Sequence, residues 1–156
     1  MTAFWTAIQT SDPAVWINFS RWLYAAISTA HVLSIATLIG SIVVLDLRLI
    51  GVARCIDAPQ LARLVVPVAG IALCGAVASG VLLFIGRAAE YAFFETFQIK
   101  MALIVAALTM TLSVRRRYGL RFERADDRQR RWIGALSIAL WVSVAIAGRM
   151  IAFMHS

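Results

Sequence analysis

Residues 22–45 read WLYAAISTAHVLSIATLIGSIVVL, an apolar run broken by one imidazole, His31. A helix that crosses the hydrocarbon core of a bilayer needs about 20 such residues, and this run supplies them. Hydrocarbon offers an imidazole no hydrogen-bond partner, so ionisable groups at that depth face protein and commonly mark a site. The stretch therefore predicts a membrane span, and it makes the surroundings of His31 the main question about function.

The rest of the chain agrees. Of 156 residues, 62% are hydrophobic and 15% charged, and the mean hydropathy is +0.83. Such a composition belongs to a membrane protein. Three further apolar runs follow, at about residues 64–86, 98–114 and 132–154. Four spans with their loops occupy nearly the whole length, so the reading is a single transmembrane domain, an all-α four-helix bundle. Ahead of the first span, Ser11 or Asp12 followed by Pro13 is a helix-start pattern. Trp5, Trp16, Trp22 and Tyr24 suit the headgroup level, so a short interfacial N-terminal helical segment is expected. The N-terminus has no basic residue before an apolar core and does not read as a standard signal peptide.

The net charge of +7 comes largely from one place. The segment RRRYGLRFERADDRQRR (residues 115–131) carries eight arginines against three acids, the first loop carries three arginines, and the loop near Arg87 carries one. Basic residues in short loops mark the cytoplasmic side. The termini and the second loop are then outside, in a multi-pass protein of the bacterial inner membrane. The same distribution argues for anionic lipid as a partner and against nucleic acid. Cys55 and Cys74 form neither a CxxC pair nor a disulfide framework, and Cys74 reads as a small packing residue. On the second span Ala72, Ala76 and Gly80 share a face, with Gly75 and Ser79 beside them. Small residues at that spacing let helices approach closely, placing this span centrally or at a contact with a second copy or a partner subunit.

Three cations lie within the spans. His31 is nine residues inside the outer end of the first, roughly 13 Å at 1.5 Å per residue. Lys100 and Arg149 lie nearer the outer ends of the third and fourth. All three fall in the outer leaflet, and if the bundle brings their faces together they make a cationic pocket open towards the outside. At 100° per residue Arg21, Tyr24, Ser28, Ser34 and Ser41 project within about 80° of His31, so this face looks into protein. Each cation also has a plainer role. Lys100 can snorkel to the interface, and Arg149 can reach headgroups or pair with Glu95 or Glu90. His31, too short to snorkel, can join helices as a neutral imidazole bonded to a serine or tyrosine. Asp46 and Arg48 read as an ion pair or a loop anchor at the inner end of the first span.

The runs HVLSIATLIGSIVVLDLRLIG (residues 31–51), QIKMALIVAAL (98–108) and GRMIAF (148–153) resemble a widespread, uncharacterised bacterial inner-membrane family. More distantly, a histidine in span one and a lysine opening span three resemble the HemJ-type protoporphyrinogen oxidases and the CopD-type copper-resistance proteins. The HemJ likeness implies haem binding at His31, with Lys100 matching the lysine of the third span. A b-type haem needs an axial nitrogen and cations for its propionates, which favour the wet end of a pocket. His31 deep with Lys100 and Arg149 shallow has that order, and Tyr24 and Ser28 complete the expected binding set. Met150, Met154 and His155 are the alternatives for a second axial ligand. The same residues, with Met101 or Met1, are a rival soft-ligand set for Cu(I). Quinone, with His31 donating to a carbonyl, is a further alternative, and a non-enzymatic accessory or assembly subunit is the other class.

Other classes find no support. No nucleophile has a visible base and orienter, and no Walker loop, dinucleotide fingerprint or HExxH motif appears. Proton-coupled transport normally uses a carboxylate inside a span, and no carboxylate reads as lying deep. The loop assignment is open to a direct test: a membrane-impermeant maleimide should leave Cys55 unlabelled in intact spheroplasts and label it after permeabilisation. Labelling of Cys55 from outside would reverse the topology.

Overall fold

The chain is described from a computed structural model, which covers residues 20–52, 54–86, 88, 94–118 and 126–154, with Trp5, Gln9 and Thr10. Among the described residues four long helices make the fold: α1 (Arg21–Ile50), α2 (Ala58–Gly86), α3 (Glu95–Tyr118) and α4 (Asp127–Met154). Each is long and apolar enough to cross a membrane, so the protein is a multi-pass, all-helical membrane protein. The helices overrun the apolar runs at their ends. The expected helix start at Pro13 and the position of Trp16 lie outside the described residues.

Local chemistry sets the ends. The hydroxyl of Ser20 accepts from the Leu23 N–H at 3.3 Å, capping a donor that the first turn of α1 leaves idle. At the other end Gly51, with φ +108°, donates back to Leu47 and Arg48, and the Val52 N–H reaches the Leu47 carbonyl. A glycine in the left-handed region is the usual way to stop a helix and reverse the chain. Arg48 is the loop anchor, with its guanidinium donating to the carbonyls of Ile56 and Arg54. Asp46 makes no pair with it and is buried instead. Asp126 starts α4, its N–H bonded to the Gln129 side chain, one half of a capping box.

Helix α1 packs along both α2 and α4, and α3 packs along α4. The helices thus form an arc in the order α2, α1, α4, α3. The small-residue face of α2 had suggested a central position for that span, but α1 holds it. The glycines explain the arrangement, because the close approaches all involve α1. A Cβ on Gly75 would stand 2.7 Å from Ser34 Oγ, one on Gly80 3.0 Å from the His31 ring, and one on Gly134 of α4 2.8 Å from the Asp46 carbonyl oxygen. Without a hydrophobic drive between helices in lipid, such approaches and interhelical hydrogen bonds hold the bundle.

One core cluster draws a residue from every helix: Leu38, Ala72, Ala107 and Trp141. Trp141 fills the centre and is only 4% exposed. At the end that the loop charges predict to face outside, the outer end, Phe84 of α2 stacks on Phe97 of α3 with centroids 5.2 Å apart, and Trp5 meets Phe84 edge-on at 5.7 Å. Cys74 is exposed on the surface of α2 instead of packing in the bundle.

Replacing Gly134 by Ala drives a methyl into the backbone of α1, which cannot yield as a side chain does. Overpacking of this kind costs about 1–3 kcal/mol, and denaturation in detergent should show a loss of that size. Gly40→Ala is the control, since nothing lies within 4 Å of its Cβ position.

Candidate functional site

The antiparallel run of the four helices brings the outer halves of α1, α2, α3 and α4 to one end. There His31 of α1 meets Ser79 of α2, with Nδ1 2.9 Å from the serine Oγ. The serine hydroxyl is itself 2.6 Å from the Gly75 carbonyl, one turn back on its own helix. A hydroxyl has a single hydrogen, and this one is directed at Gly75. With its hydrogen on Gly75, Ser79 can accept at His31, an arrangement that places the imidazole proton on Nδ1. The Ala76 carbonyl is a further hydrogen-bonding neighbour of the ring. Gly80 makes room for the ring on α2, because a Cβ there would stand 3.0 Å from Cε1.

Lys100 turns into the bundle. It is half-buried, its stem passes Gly148 of α4 with Cε 3.6 Å and Nζ 3.8 Å from where a Cβ would be, and its ammonium is close enough to act on His31 electrostatically. Two of the three intramembrane cations thus share one site. Arg149 is exposed and makes no hydrogen bond or ion pair among the described residues. It sits about 100° around α4 from Gly148. Glu95, one of its suggested partners, is also exposed, and Glu90 lies outside the described residues. Tyr24 is 38% exposed and Ser28 half-buried, and neither bonds to His31.

For the soft-ligand alternative, Met101 and Met150 are 45% and 48% exposed on the bundle surface. Met1 and His155 lie outside the described residues. Among the described residues no three His, Cys, Asp or Glu side chains gather in a group that could hold a metal ion.

Ser79, Gly80 and Gly148 are the site residues that the sequence reading did not single out for His31. Ser79 and Gly80 were visible as parts of the small-residue face of α2. Their bearing on His31 depends on the register between α1 and α2, which one sequence does not reveal. Asp46 was missed for a different reason. The apolar run ends at Leu45, whereas the helix continues to Ile50 and rotates the Asp46 side chain inward.

A family model matches residues 14–154, and the chain belongs to that family, DUF6644, a family of unknown function. No curated protein matches the chain, and no solved structure matches it. The expected likeness to an uncharacterised membrane family agrees with this finding, whereas no likeness to HemJ-type or CopD-type proteins emerges.

The proton assignment at His31 can be read directly. Histidine ¹⁵N NMR of the detergent-solubilised protein should show the Nδ1–H tautomer for His31. Ser79→Ala should remove that preference and lower stability by about 0.6–2 kcal/mol, the range of interhelical hydrogen bonds in membranes. An Nε2–H signal in the wild-type protein would overturn the assignment.

Proposed function

We propose that this DUF6644 protein is a redox-linked, haem-binding protein of the bacterial inner membrane, in which His31 ligates the iron of a b-type haem and Lys100 meets a propionate. The observation that supports this most is the bonded chain from Gly75 through Ser79 to Nδ1 of His31. Histidines that bind metals commonly donate their other ring N–H to an acceptor, which fixes the ring and leaves the remaining nitrogen free to ligate. Lys100 adds a cation in the same half of the bundle, suited to a carboxylate.

His31 would be one axial ligand; of the alternatives for a second, Met150 is exposed, as is Met101, and the side chains of Met154 and His155 lie outside the described residues. Bound haem would supply one-electron chemistry. The chain's own residues would orient the imidazole, offset carboxylate charge and exclude water from the inner half of the bundle. Arg149 would serve a propionate only where it extends past the surface of α4, and Tyr24 and Ser28 would line the approach. The HemJ-type pairing of a span-one histidine with a span-three lysine points the same way. Quinone is less well served, since Nε2 without a hydrogen has nothing to donate to a carbonyl.

The accessory-subunit reading has an observation of its own. The His31–Ser79 bond joins α1 to α2, and in lipid such a bond is also a means of assembly. On that reading the arginine-rich segment would meet anionic headgroups or a partner subunit.

Visible spectra separate the two. Protein purified in detergent from cells with ample haem should show sharp dithionite-reduced bands, and His31→Ala should lose them while remaining folded. Lys100→Met should retain bands with weakened haem retention. A featureless wild-type spectrum would remove the haem reading and leave the accessory one.

A further inference from the structure

The inner half of the bundle holds a second polar feature, independent of His31. Asp46 lies fifteen residues further along α1, about 22 Å at 1.5 Å per residue. It is 5% exposed. The Ser137 hydroxyl of α4 is its hydrogen-bonding neighbour, and its Oδ2 is buried with no hydrogen-bond partner. A buried carboxylate without a countercharge is among the costliest arrangements a protein can hold. Within a membrane bundle an ionisable group of this kind is a functional-site candidate.

Asp46 lines a cavity of about 170 Å³ walled by all four helices. Its polar lining is Asp46 with Ser41, Thr111 and Ser137, and the remaining wall is aliphatic apart from Met110 and the indole of Trp141. The arc of helices gives the cavity its place, because α2 and α3 have no extended packing against each other. Their outer ends are tied by the Phe84–Phe97 stack. The cavity lies in the inner half, between Val65–Leu73 of α2 and Leu108–Val114 of α3. Gly70 of α2 belongs to this wall, and its Cβ position has nothing within 4 Å.

Size and lining decide the class of ligand. A bare metal ion needs a shell of oxygens, and a mostly aliphatic wall does not supply it. A cavity of about 150 Å³ with apolar walls takes a benzene-sized body. One unpartnered carboxylate, an aliphatic wall with a single indole in it and room for a single ring call for a body that is apolar and a head that is positive. We infer that the Asp46 cavity is a binding site for a small lipophilic organic cation, an aryl-alkyl ammonium, with Asp46 as its counter-ion and Trp141 as its aromatic wall.

The test compares the phenethylammonium ion with ethylbenzene, a neutral probe of similar body, by calorimetric titration of the full-length protein in detergent. The wild-type protein should bind the cation at least tenfold more tightly than the neutral probe. Asp46→Asn should abolish that preference while still binding ethylbenzene. Gly70→Leu, which adds a side chain at a lining position whose Cβ has nothing within 4 Å, should weaken both probes and covers the case in which the Asp46 variant fails to fold. Equal affinity for the two probes in the wild-type protein, or a cation preference that survives Asp46→Asn, overturns the proposal. So does failure of the wild-type protein to bind the cation at millimolar concentration. The His31 spectrum should be unchanged in Asp46→Asn, so this inference and the haem reading stand or fall separately.

Discussion

Lipid hydrocarbon cannot hydrogen-bond, and every polar group inside the bundle must therefore find its partner on the protein. Helix α1 carries most of the consequences. It presents an imidazole to α2 in its outer half and a carboxyl to α4 in its inner half, and both seams close through glycine. Gly75 and Gly80 bring α2 onto α1 beside His31, and Gly134 brings α4 onto α1 beside Asp46. Helix α3, which packs mainly on α4, contributes Lys100 at the outer end and one wall of the cavity at the inner end. The fold can be understood as a central helix with two polar joints and an arc of neighbours set by them.

The two joints differ in what they leave over. At His31 the ring has partners on α2: Nδ1 lies against the Ser79 hydroxyl, which also bonds the Gly75 carbonyl, and the Ala76 carbonyl is a further neighbour. At Asp46 one carboxylate oxygen remains with no donor. The first arrangement suits an electrophile such as a metal, and the second suits a cation. The different chemistries at the two ends of α1 follow from how far its immediate neighbours satisfy its polar groups: those of α2 supply partners for His31, and those of α4 leave one Asp46 oxygen over.

Much of this was legible in the residues. The four apolar runs, the arginine-rich segment and the depth of His31 follow from composition and from the 1.5 Å rise of a helix, and both are local properties. Lys100 was legible as an intramembrane cation but not as a neighbour of His31. Its flexible stem permits both snorkelling to the interface and turning inward, and the open surface at Gly148 decides for the second. Arg149 shows the converse. It lies at a similar depth, yet it is one residue and about 100° around the helix from the face that meets Lys100.

What the sequence by itself determined is the class of the protein and the level of each charge along the membrane normal, because apolar length and helical rise admit few alternatives. Only the tertiary structure decided which helix is central, that Ser79 is the serine that partners His31, and that Asp46 faces a cavity instead of Arg48. Those outcomes depend on the rotation and register of one helix against another. Small residues permit several such packings at nearly equal cost in lipid, and the choice among them is made by all four helices together.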